Sequence, residues 1–257
     1  MSDQCILETR GLVKEFKGFV AVDNVNLQVN KGHIHALIGP NGAGKTTVFN
    51  LLTKFLQPTR GKILFNGKDI TSEKSAAIAR MGVVRSFQIS AVFPHMTALE
   101  NVRIAFQSFQ GNTFHFWKSG RSLESLNDRC MELLDSLGLA EFANTTTVEL
   151  AYGRKRALEL ATTLAMEPEL LLLDEPTQGM GGEDVDRVVE LIRKAASGRT
   201  VLMVEHNLGV VSTLCDRITV LSQGSVLTEG DYAAVSNDPQ VREVYMGSAS
   251  TAAEVSE

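Results

Sequence analysis

The glycine-rich segment after the apolar run Ile34–Ile38 has residue types and a spacing that suit phosphate binding. It reads Gly39-Pro40-Asn41-Gly42-Ala43-Gly44-Lys45-Thr46 and is followed by Thr47. Its glycines adopt turns closed to residues with a Cβ, so successive backbone N–H groups and the next helix N-terminus converge on phosphate oxygens. Lys45 adds a positive charge for the β- and γ-phosphates, and the Thr46 hydroxyl is the expected ligand of a bridging Mg²⁺. This P-loop predicts a nucleotide site and a helix beginning near Thr47; a chance glycine-rich turn would have to match four fixed positions.

Two carboxylates end a second apolar run, Leu171-Leu172-Leu173-Asp174-Glu175. In an open parallel sheet, ligands bind beyond the carboxyl ends of the strands, so this run and the P-loop strand are expected to converge on one site. Asp174 would hold Mg²⁺ through water, and Glu175 would polarise the attacking water. The alternative is a helix-capping pair, because Pro176-Thr177 follows; the neighbouring P-loop favours the catalytic interpretation.

A parallel sheet has to position these residues. Short apolar runs at 170–173, 201–204 and 218–221 are separated by helical segments, one of which repeats Val185, Val188, Val189 and Ile192. Strand, helix and strand at this spacing predict right-handed crossovers and a mostly parallel sheet in an α/β fold.

The remaining segments predict other elements. The first thirty residues alternate apolar and polar as β-structure does, Asn66-Gly67 indicates a hairpin, 75–80 a short helix and 83–86 a strand. From about Ala98 to Ala165 the pattern is helical. Apolar side chains recur there at intervals of three and four, at Leu123, Leu126, Cys130, Leu133, Leu134 and Leu137.

Composition limits the function classes. The chain has 257 residues and a net charge of −5, which argues against a nucleic-acid partner. Cys5, Cys130 and Cys215 are odd in number and far apart, so they suggest reduced thiols and neither disulfides nor a zinc site. No leader or apolar run of roughly 20 residues is present, so we expect a soluble polypeptide whose membrane role comes through a partner. His33 and His35 have metal-binding spacing, but packing or surface roles are favoured.

Further motifs in order along the chain resemble the ATP-binding subunits of ABC transporters, from about Leu7 to Gly247. Gln88, in Arg85-Ser86-Phe87-Gln88, matches the family's Q-loop glutamine, and His206 matches its switch histidine. Leu150-Ala151-Tyr152-Gly153-Arg154-Lys155-Arg156 matches the position of the signature that opens a helix. Phe16 matches the aromatic residue that stacks on adenine. Each motif alone has an ordinary explanation, such as an exposed loop, a strand end or the core; their joint order and spacing favour the resemblance.

The resemblance implies a P-loop NTPase of the ABC ATPase fold, with a mostly parallel core, an N-terminal antiparallel β-subdomain and an inserted α-helical subdomain. It implies one domain over 1–247, with the core and β-subdomain at 1–97 and 166–247, the helical subdomain at 98–165, and a disordered tail at 248–257. Two subunits, identical or different, would sandwich ATP and Mg²⁺ face to face. The implied catalytic residues are Glu175, His206, Gln88 and Lys45; the Mg²⁺ ligands are Thr46, Gln88 and Asp174; the nucleotide contacts are Phe16, residues 39–47, Ala151, Tyr152 and Gly153.

The signature and D-loop depart from the family pattern. Ala151 stands where a serine usually donates to the γ-phosphate across the dimer, and Tyr152 and Arg154 replace a glycine and a glutamine. A lost charge-assisted hydrogen bond is worth about 1.5 to 3 kcal/mol, so closure around ATP would weaken. The segment Gln178-Gly179-Met180-Gly181 ends in glycine where Asp or Asn is common, which puts communication across the dimer in question.

Within the family, the run 79–85, the signature tyrosine and the ending Val244-Tyr245-Met246-Gly247 resemble the larger ATPase of branched-chain amino acid uptake systems. The implied partners are transmembrane permeases, a second ATPase and, indirectly, a solute-binding protein, with the chain peripheral on the cytoplasmic face of the inner membrane. Relatives with other cargo, including an exporter, share features, so the solute and direction stay open. The alternatives are a non-transport ABC ATPase, for example of cluster-assembly type, and a weakly hydrolysing regulatory subunit.

The segment 106–117 concentrates aromatic residues without clean helical spacing. One hypothesis is that the rings complete the small helical core, and it is favoured for Phe106 and Phe109. The other is that Phe114, Phe116 and Trp117 line a groove for a permease helix beside Gln88.

Overall fold

The computed structural model describes residues 4–86, 92–109 and 120–245, and it leaves out the side chains of 109 and 120–125. Within these ranges the strands, in chain order, are β1 (Cys5–Phe16), β2 (Phe19–Val25), β3 (Gln28–Asn30), β4 (Ile34–Ile38), β5 (Arg60–Phe65), β6 (Lys68–Asp69), β7 (Val83–Ser86), β8 (Leu170–Asp174), β9 (Thr200–Val204), β10 (Arg217–Ser222) and β11 (Ser225–Gly230). The helices are α1 (Lys45–Leu52), α2 (Ser75–Arg80), α3 (Ala98–Phe109), α4 (Gly120–Ser136), α5 (Tyr152–Leu164), α6 (Gly182–Ala196), α7 (Leu208–Leu214) and α8 (Tyr232–Asn237).

The larger sheet has the strand order β11-β10-β4-β9-β8-β7. The five strands from β10 to β7 are mutually parallel, and β11 pairs antiparallel with β10 at one edge. Every residue of β4 and β9 is buried, because helices and the second sheet cover both faces, and this explains their almost continuous apolar sequence. The predicted parallel sheet is confirmed, and β4 and β8 both end at its carboxyl edge.

The N-terminal residues form a second, antiparallel sheet with the order β2-β1-β5-β6, in which β3 also pairs with β1. Asn66 and Gly67, between β5 and β6, both have positive φ angles, 49° and 76°. Two such residues make the two-residue turn whose twist matches a hairpin. The predicted hairpin is therefore confirmed at its turn.

Helices α3, α4 and α5 pack on one another and on the core. Of the periodic apolar positions, Cys130, Leu134 and Leu137 are buried, and Leu126 and Leu133 are partly buried. Phe106 is buried in the same cluster, as the core hypothesis expects, and the Arg129 guanidinium lies 4.7 Å from its ring centroid. The side chains of Leu123 and Phe109, and residues 110–119, lie outside the described part of the chain.

The start of α1 and several short elements differ from the expectations from the sequence. Helix α1 begins at Lys45, two residues before the predicted start, because Gly44 with φ 98° caps it and turns the P-loop directly into the first helical turn. The hairpin β10–β11 and the short helices α7 and α8 were not predicted. Among the described helices, none combines the length and the apolarity that crossing a bilayer requires.

Candidate nucleotide site

The P-loop is held between the two sheets by glycines that allow no side chain. A Cβ on Gly39, where φ is 152°, would lie 2.2 Å from the Leu221 carbonyl oxygen on β10. A Cβ on Gly44 would lie 2.6 Å from the Ala21 carbonyl oxygen on β2. Both contacts are far inside van der Waals range. The loop can therefore approach both strands only because these positions are glycine.

Lys45 lies inside the loop. Its side chain is buried, and its ammonium donates hydrogen bonds to the carbonyl oxygens of Gly39 at 2.8 Å and Pro40 at 3.0 Å. Burial lowers the pKa of Lys45, while the negative charges of Glu175 and Asp174 act in the opposite direction. The P-loop cation and the two strand-end carboxylates thus share one electrostatic environment. The expected convergence of the two motifs is what the structure has.

Asp174, the last residue of β8, and Glu175, which follows it, have different surroundings. Asp174 is paired with strand β9 through Val204, and its carboxylate forms an ion pair with Arg85 on β7. Glu175 adopts a φ of 46°, and its N–H donates to the Val204 carbonyl at 2.9 Å. A left-handed residue other than glycine is uncommon and costs about 1–3 kcal/mol, so the surrounding structure has to hold Glu175 in this conformation. Neither carboxylate caps a helix in this arrangement, because α6 begins only at Gly182.

Glu205, which the sequence analysis did not single out, organises the end of β9. It is fully buried and accepts hydrogen bonds from the Thr177 hydroxyl and from three backbone N–H groups, those of Thr177, His206 and Asn207. The His206 side chain is 55% exposed, with Nδ1 4.0 Å from a Glu205 carboxylate oxygen. The missed signal is the one that identified Asp174, a carboxylate directly after a buried apolar strand.

Phe16 lies at the end of β1, opposite Phe19 on β2. Its ring is 41% exposed, and the Lys14 ammonium lies 5.0 Å from the ring centroid. The same β2 strand carries Ala21 against Gly44 of the P-loop. An exposed aromatic ring on this hairpin has the chemistry that an adenine-stacking role requires.

The sequence comparisons place the chain in a family. The family model described as "ABC transporter" matches residues 22–178, which contain the P-loop, Asp174 and Glu175. The chain belongs to the ABC transporter family. A second model, "Branched-chain amino acid ATP-binding cassette transporter", matches residues 225–250.

Individual relatives agree with this assignment over nearly the whole chain. The chain is 40% identical to the high-affinity branched-chain amino acid transport ATP-binding protein BraF of Pseudomonas aeruginosa, over 95% of this chain and 98% of BraF. It is 41% identical to LivG of Escherichia coli K12, of the same description, over 96% and 99%.

Solved structures of ABC transporter cassettes have the same fold as this chain. The ADP conformation of an ABC transporter cassette superimposes with a TM-score of 0.82 at 29% identity, covering 95% of this chain and 99% of that one. A dimeric cassette in a post-hydrolysis state, bound to ADP and Pi, matches with a TM-score of 0.73 at 26% identity, over 88% and 99%. The chain therefore has the ABC ATPase fold and, as a member of this family, is an ATPase.

The segment that resembles the ABC signature lies at the start of α5. Ala151 is the N-cap residue and provides no side-chain cap, and Tyr152 is 52% exposed. The guanidinium of Arg154 stacks on Phe142, 3.8 Å from the ring centroid. Ala151, Tyr152 and Gly153 line an open cleft of about 680 Å³ together with residues of α6, and none of its lining residues belongs to the P-loop. Within one chain, the signature is thus separate from the phosphate site.

Gln88 lies outside the described residues, as do Phe114, Phe116, Trp117 and the tail 248–257. Gly181 is the N-cap of α6, with φ −78° and ψ 167°, which any residue can adopt, so the backbone does not require glycine there. Tyr245, used above only as a subfamily marker, is partly buried beside the P-loop: burial raises its pKa to about 12, and a hydrogen bond with the Gly39 backbone opposes that rise.

Proposed function

We propose that this chain is the ATP-hydrolysing subunit of a membrane ABC importer for branched-chain amino acids or a related small solute. The observation that carries the proposal is the shared environment of Lys45, Asp174 and Glu175 at the carboxyl edge of the sheet. The named relatives are ATP-binding proteins of branched-chain amino acid transport, which supports this solute class. The working location is peripheral, on the cytoplasmic face of the inner membrane.

The residues divide the chemistry of ATP hydrolysis among them. The P-loop backbone from Gly39 to Thr47 and the Lys45 ammonium bind the phosphates. Thr46, Asp174 and Gln88 would hold Mg²⁺, and their oxygen atoms are the hard ligands that this ion prefers. Mg²⁺ neutralises charge that develops on the phosphate oxygens. Glu175 orients and deprotonates the attacking water, and His206 contacts the γ-phosphate.

A second subunit would complete the site. Because the signature lies apart from the P-loop of its own chain, Ala151, Tyr152 and Gly153 are available to a nucleotide bound by another subunit. The dimeric ADP and Pi cassette among the structural relatives supports such pairing. The partner is either a second copy of this chain or a related ATPase.

A groove of about 440 Å³ between the core and the helical region offers a surface for the permease. Its lining residues include Ile78 and Ala79 of α2, Ile104 and Ala105 of α3, and two exposed rings, Phe55 and Phe93, which are 55% and 51% exposed. An amphipathic helix laid into an apolar groove is a recurring mode of recognition. The proposed occupant is a cytoplasmic helix of the transmembrane subunit.

The decisive experiment is Glu175→Gln in the purified protein. We expect ATP turnover to be lost while ATP binding remains and an ATP-dependent dimer persists, because the amide cannot accept the water's proton. Glu132→Gln, on the exposed side of α4, is the matched control and should leave turnover unchanged. Hydrolysis by Glu175→Gln within about twofold of the unsubstituted protein, worth only ~0.4 kcal/mol of barrier, would rule out the assignment.

The solute class needs a separate measurement. Reconstitution of the chain with its permease subunits in vesicles should give ATP-dependent uptake of labelled leucine, isoleucine or valine. The weakly hydrolysing regulatory alternative is motivated by Ala151 and Gly181. It predicts that turnover of the reconstituted complex is carried by the partner ATPase and survives Glu175→Gln in this chain.

A further inference from the structure

The guanidinium of Arg85 forms an ion pair with the carboxylate of Asp174, the proposed Mg²⁺ ligand. No other ion pair of Asp174 is present among the described residues. One terminal nitrogen of Arg85 contacts the Asp174 carboxylate, and the other donates to the Asn50 side-chain oxygen at 2.8 Å. The two charged side chains are only 13% and 12% exposed. The pair joins β7 to β8, and through Asn50 it also joins them to α1, the helix that follows the P-loop.

The surroundings make this an expensive place for a positive charge. The Nε atom of Arg85 is buried and has no hydrogen-bond partner in the described structure. A cation–π contact with the Phe49 ring, whose centroid lies 5.9 Å from the guanidinium, offsets only part of this cost. Buried ion pairs recover their desolvation cost only with good geometry and full hydrogen bonding. Fold stability is therefore a weak explanation for Arg85, and a role toward Asp174 is a better one.

Lys45 does not replace Arg85 in this role. The Lys45 ammonium bonds to the Gly39 and Pro40 carbonyl oxygens, so it spans the P-loop and does not hold the Asp174 carboxylate. Without Arg85, Asp174 would be a nearly buried carboxylate next to the place where polyanionic phosphates bind. Like charges in a poorly solvated site repel strongly.

We propose that Arg85 is the internal counter-cation of the Mg²⁺ site. It neutralises and orients Asp174 while no metal is bound, so that a nucleotide can enter before or without Mg²⁺, and the metal takes over the neutralisation when it binds. This inference rests on the proposed Mg²⁺ role of Asp174. Arg85 is a positioning residue, because its contacts are with Asp174 and Asn50.

The proposal is tested by measuring ADP affinity calorimetrically, once with Mg²⁺ and once with EDTA. ADP is not hydrolysed, so the readout is binding alone. Arg85→Met removes the charge and keeps much of the side-chain length. We expect it to weaken metal-free ADP binding by about tenfold or more, and to change Mg²⁺-ADP binding by less than about threefold. Arg85→Lys should keep most of the metal-free affinity. The control, Arg80→Met on the exposed end of α2, should change neither value.

If Arg85→Met alone fails to fold, a double-mutant cycle with Asp174→Asn tests the same proposal. Asp174→Asn removes the carboxylate that Arg85 neutralises, so the double variant Asp174→Asn/Arg85→Met, which lacks both charges, should bind metal-free ADP within about threefold of the unsubstituted protein. A tenfold loss in that double variant, or equal losses with and without Mg²⁺ in Arg85→Met, would overturn the proposal. The Mg²⁺ assignment fails separately, if Asp174→Asn needs no more Mg²⁺ than the unsubstituted protein for half-maximal ATP hydrolysis.

Discussion

At the residue scale, three carboxylates follow buried strands, and their surroundings give them different tasks. Glu205 accepts four hydrogen bonds and fixes the chain between Thr177 and Asn207. Asp174 is ion-paired with the Arg85 guanidinium, which we propose a metal replaces. Glu175 follows Asp174 in a left-handed conformation, next to the Lys45 charge. The same sequence signal therefore precedes a structural role, a proposed metal-binding role and a proposed catalytic role, and only the partners of each carboxylate distinguish them.

His35 is a buried residue whose ionisation is unfavourable in the folded state. Its Nε2 lies 2.8 Å from the Thr219 hydroxyl, which itself donates to Glu229 at 2.6 Å, so the hydroxyl oxygen accepts from Nε2–H. The Nδ1 atom is buried and has no partner in the described structure. Burial lowers the pKa of His35 to about 4; Glu229 opposes the shift, and Arg217 and His33 add to it. This supports the packing role expected for His35 over a metal-binding one.

The pH dependence of stability follows from this shift. The folded pKa lies below the unfolded value of 6.5, so the contribution of His35 is complete above pH 6.5 and is lost as pH falls toward 4. We expect the free energy of unfolding in urea to fall by about 3 kcal/mol more between pH 7 and pH 4 in the unsubstituted protein than in a His35→Gln variant. His33→Gln is the control, and it should retain the pH dependence. Parallel pH profiles for His35→Gln and the unsubstituted protein would contradict the prediction.

At the element scale, the sequence was most informative where an element has one dominant pattern. The parallel strands β8, β9 and β10 are buried on both faces, so their apolar runs stand out. Strand β11 is half-buried along all six residues and shows no alternation, which explains why it was missed. The start of α1 was placed two residues late because the Gly44 turn leads directly into the helix.

Contacts between distant elements could not be predicted from the sequence in the same way. Arg85 and Asp174 are 89 positions apart, and Thr177 and Glu205 are 28 apart. Nothing local to β7 indicates that Arg85 would meet the metal ligand, because that meeting depends on β7 pairing with β8. The P-loop, Asp174 and Glu175 were identified because their motifs are local; their partners were not.

The signature helix α5 offers a test of the missing serine. Ala151 caps the helix without a side-chain hydrogen bond, and Arg154 is stacked on Phe142, which leaves it poorly placed to replace the serine. Ala151→Ser in the Glu175→Gln protein should therefore strengthen ATP-driven dimerisation, measured by light scattering, by about tenfold in the half-dimerisation ATP concentration. A serine N-cap alone stabilises a helix by about 1 kcal/mol, so melting without ATP measures that separate effect. An unchanged half-dimerisation concentration would show that the chain compensates by other means.

At the scale of the whole molecule, one residue of β7 touches both the nucleotide site and the proposed permease groove. Arg85 contacts Asp174 and also lines the groove with residues of α2 and α3. In the proposed complex, Arg85 would connect the partner surface to the phosphate site. We therefore expect substitutions in the groove to impair binding of the membrane partner strongly and to have little effect on ATP turnover of the isolated subunit.

Substitution of the exposed groove rings separates the effect on permease binding from the effect on ATP turnover. Phe55→Ser combined with Phe93→Ser should leave the isolated subunit folded, with ATP turnover within about twofold, because both rings are more than half exposed. The same protein should no longer co-purify with its permease, since it lacks the aromatic anchors of the groove. Phe19→Ser, at a 68% exposed ring on the other sheet, is the matched control and should still co-purify. Trp117→Ala tests the earlier aromatic hypothesis in the same assay: loss of thermal stability would assign Trp117 to the core, and loss of the permease alone would assign it to the groove.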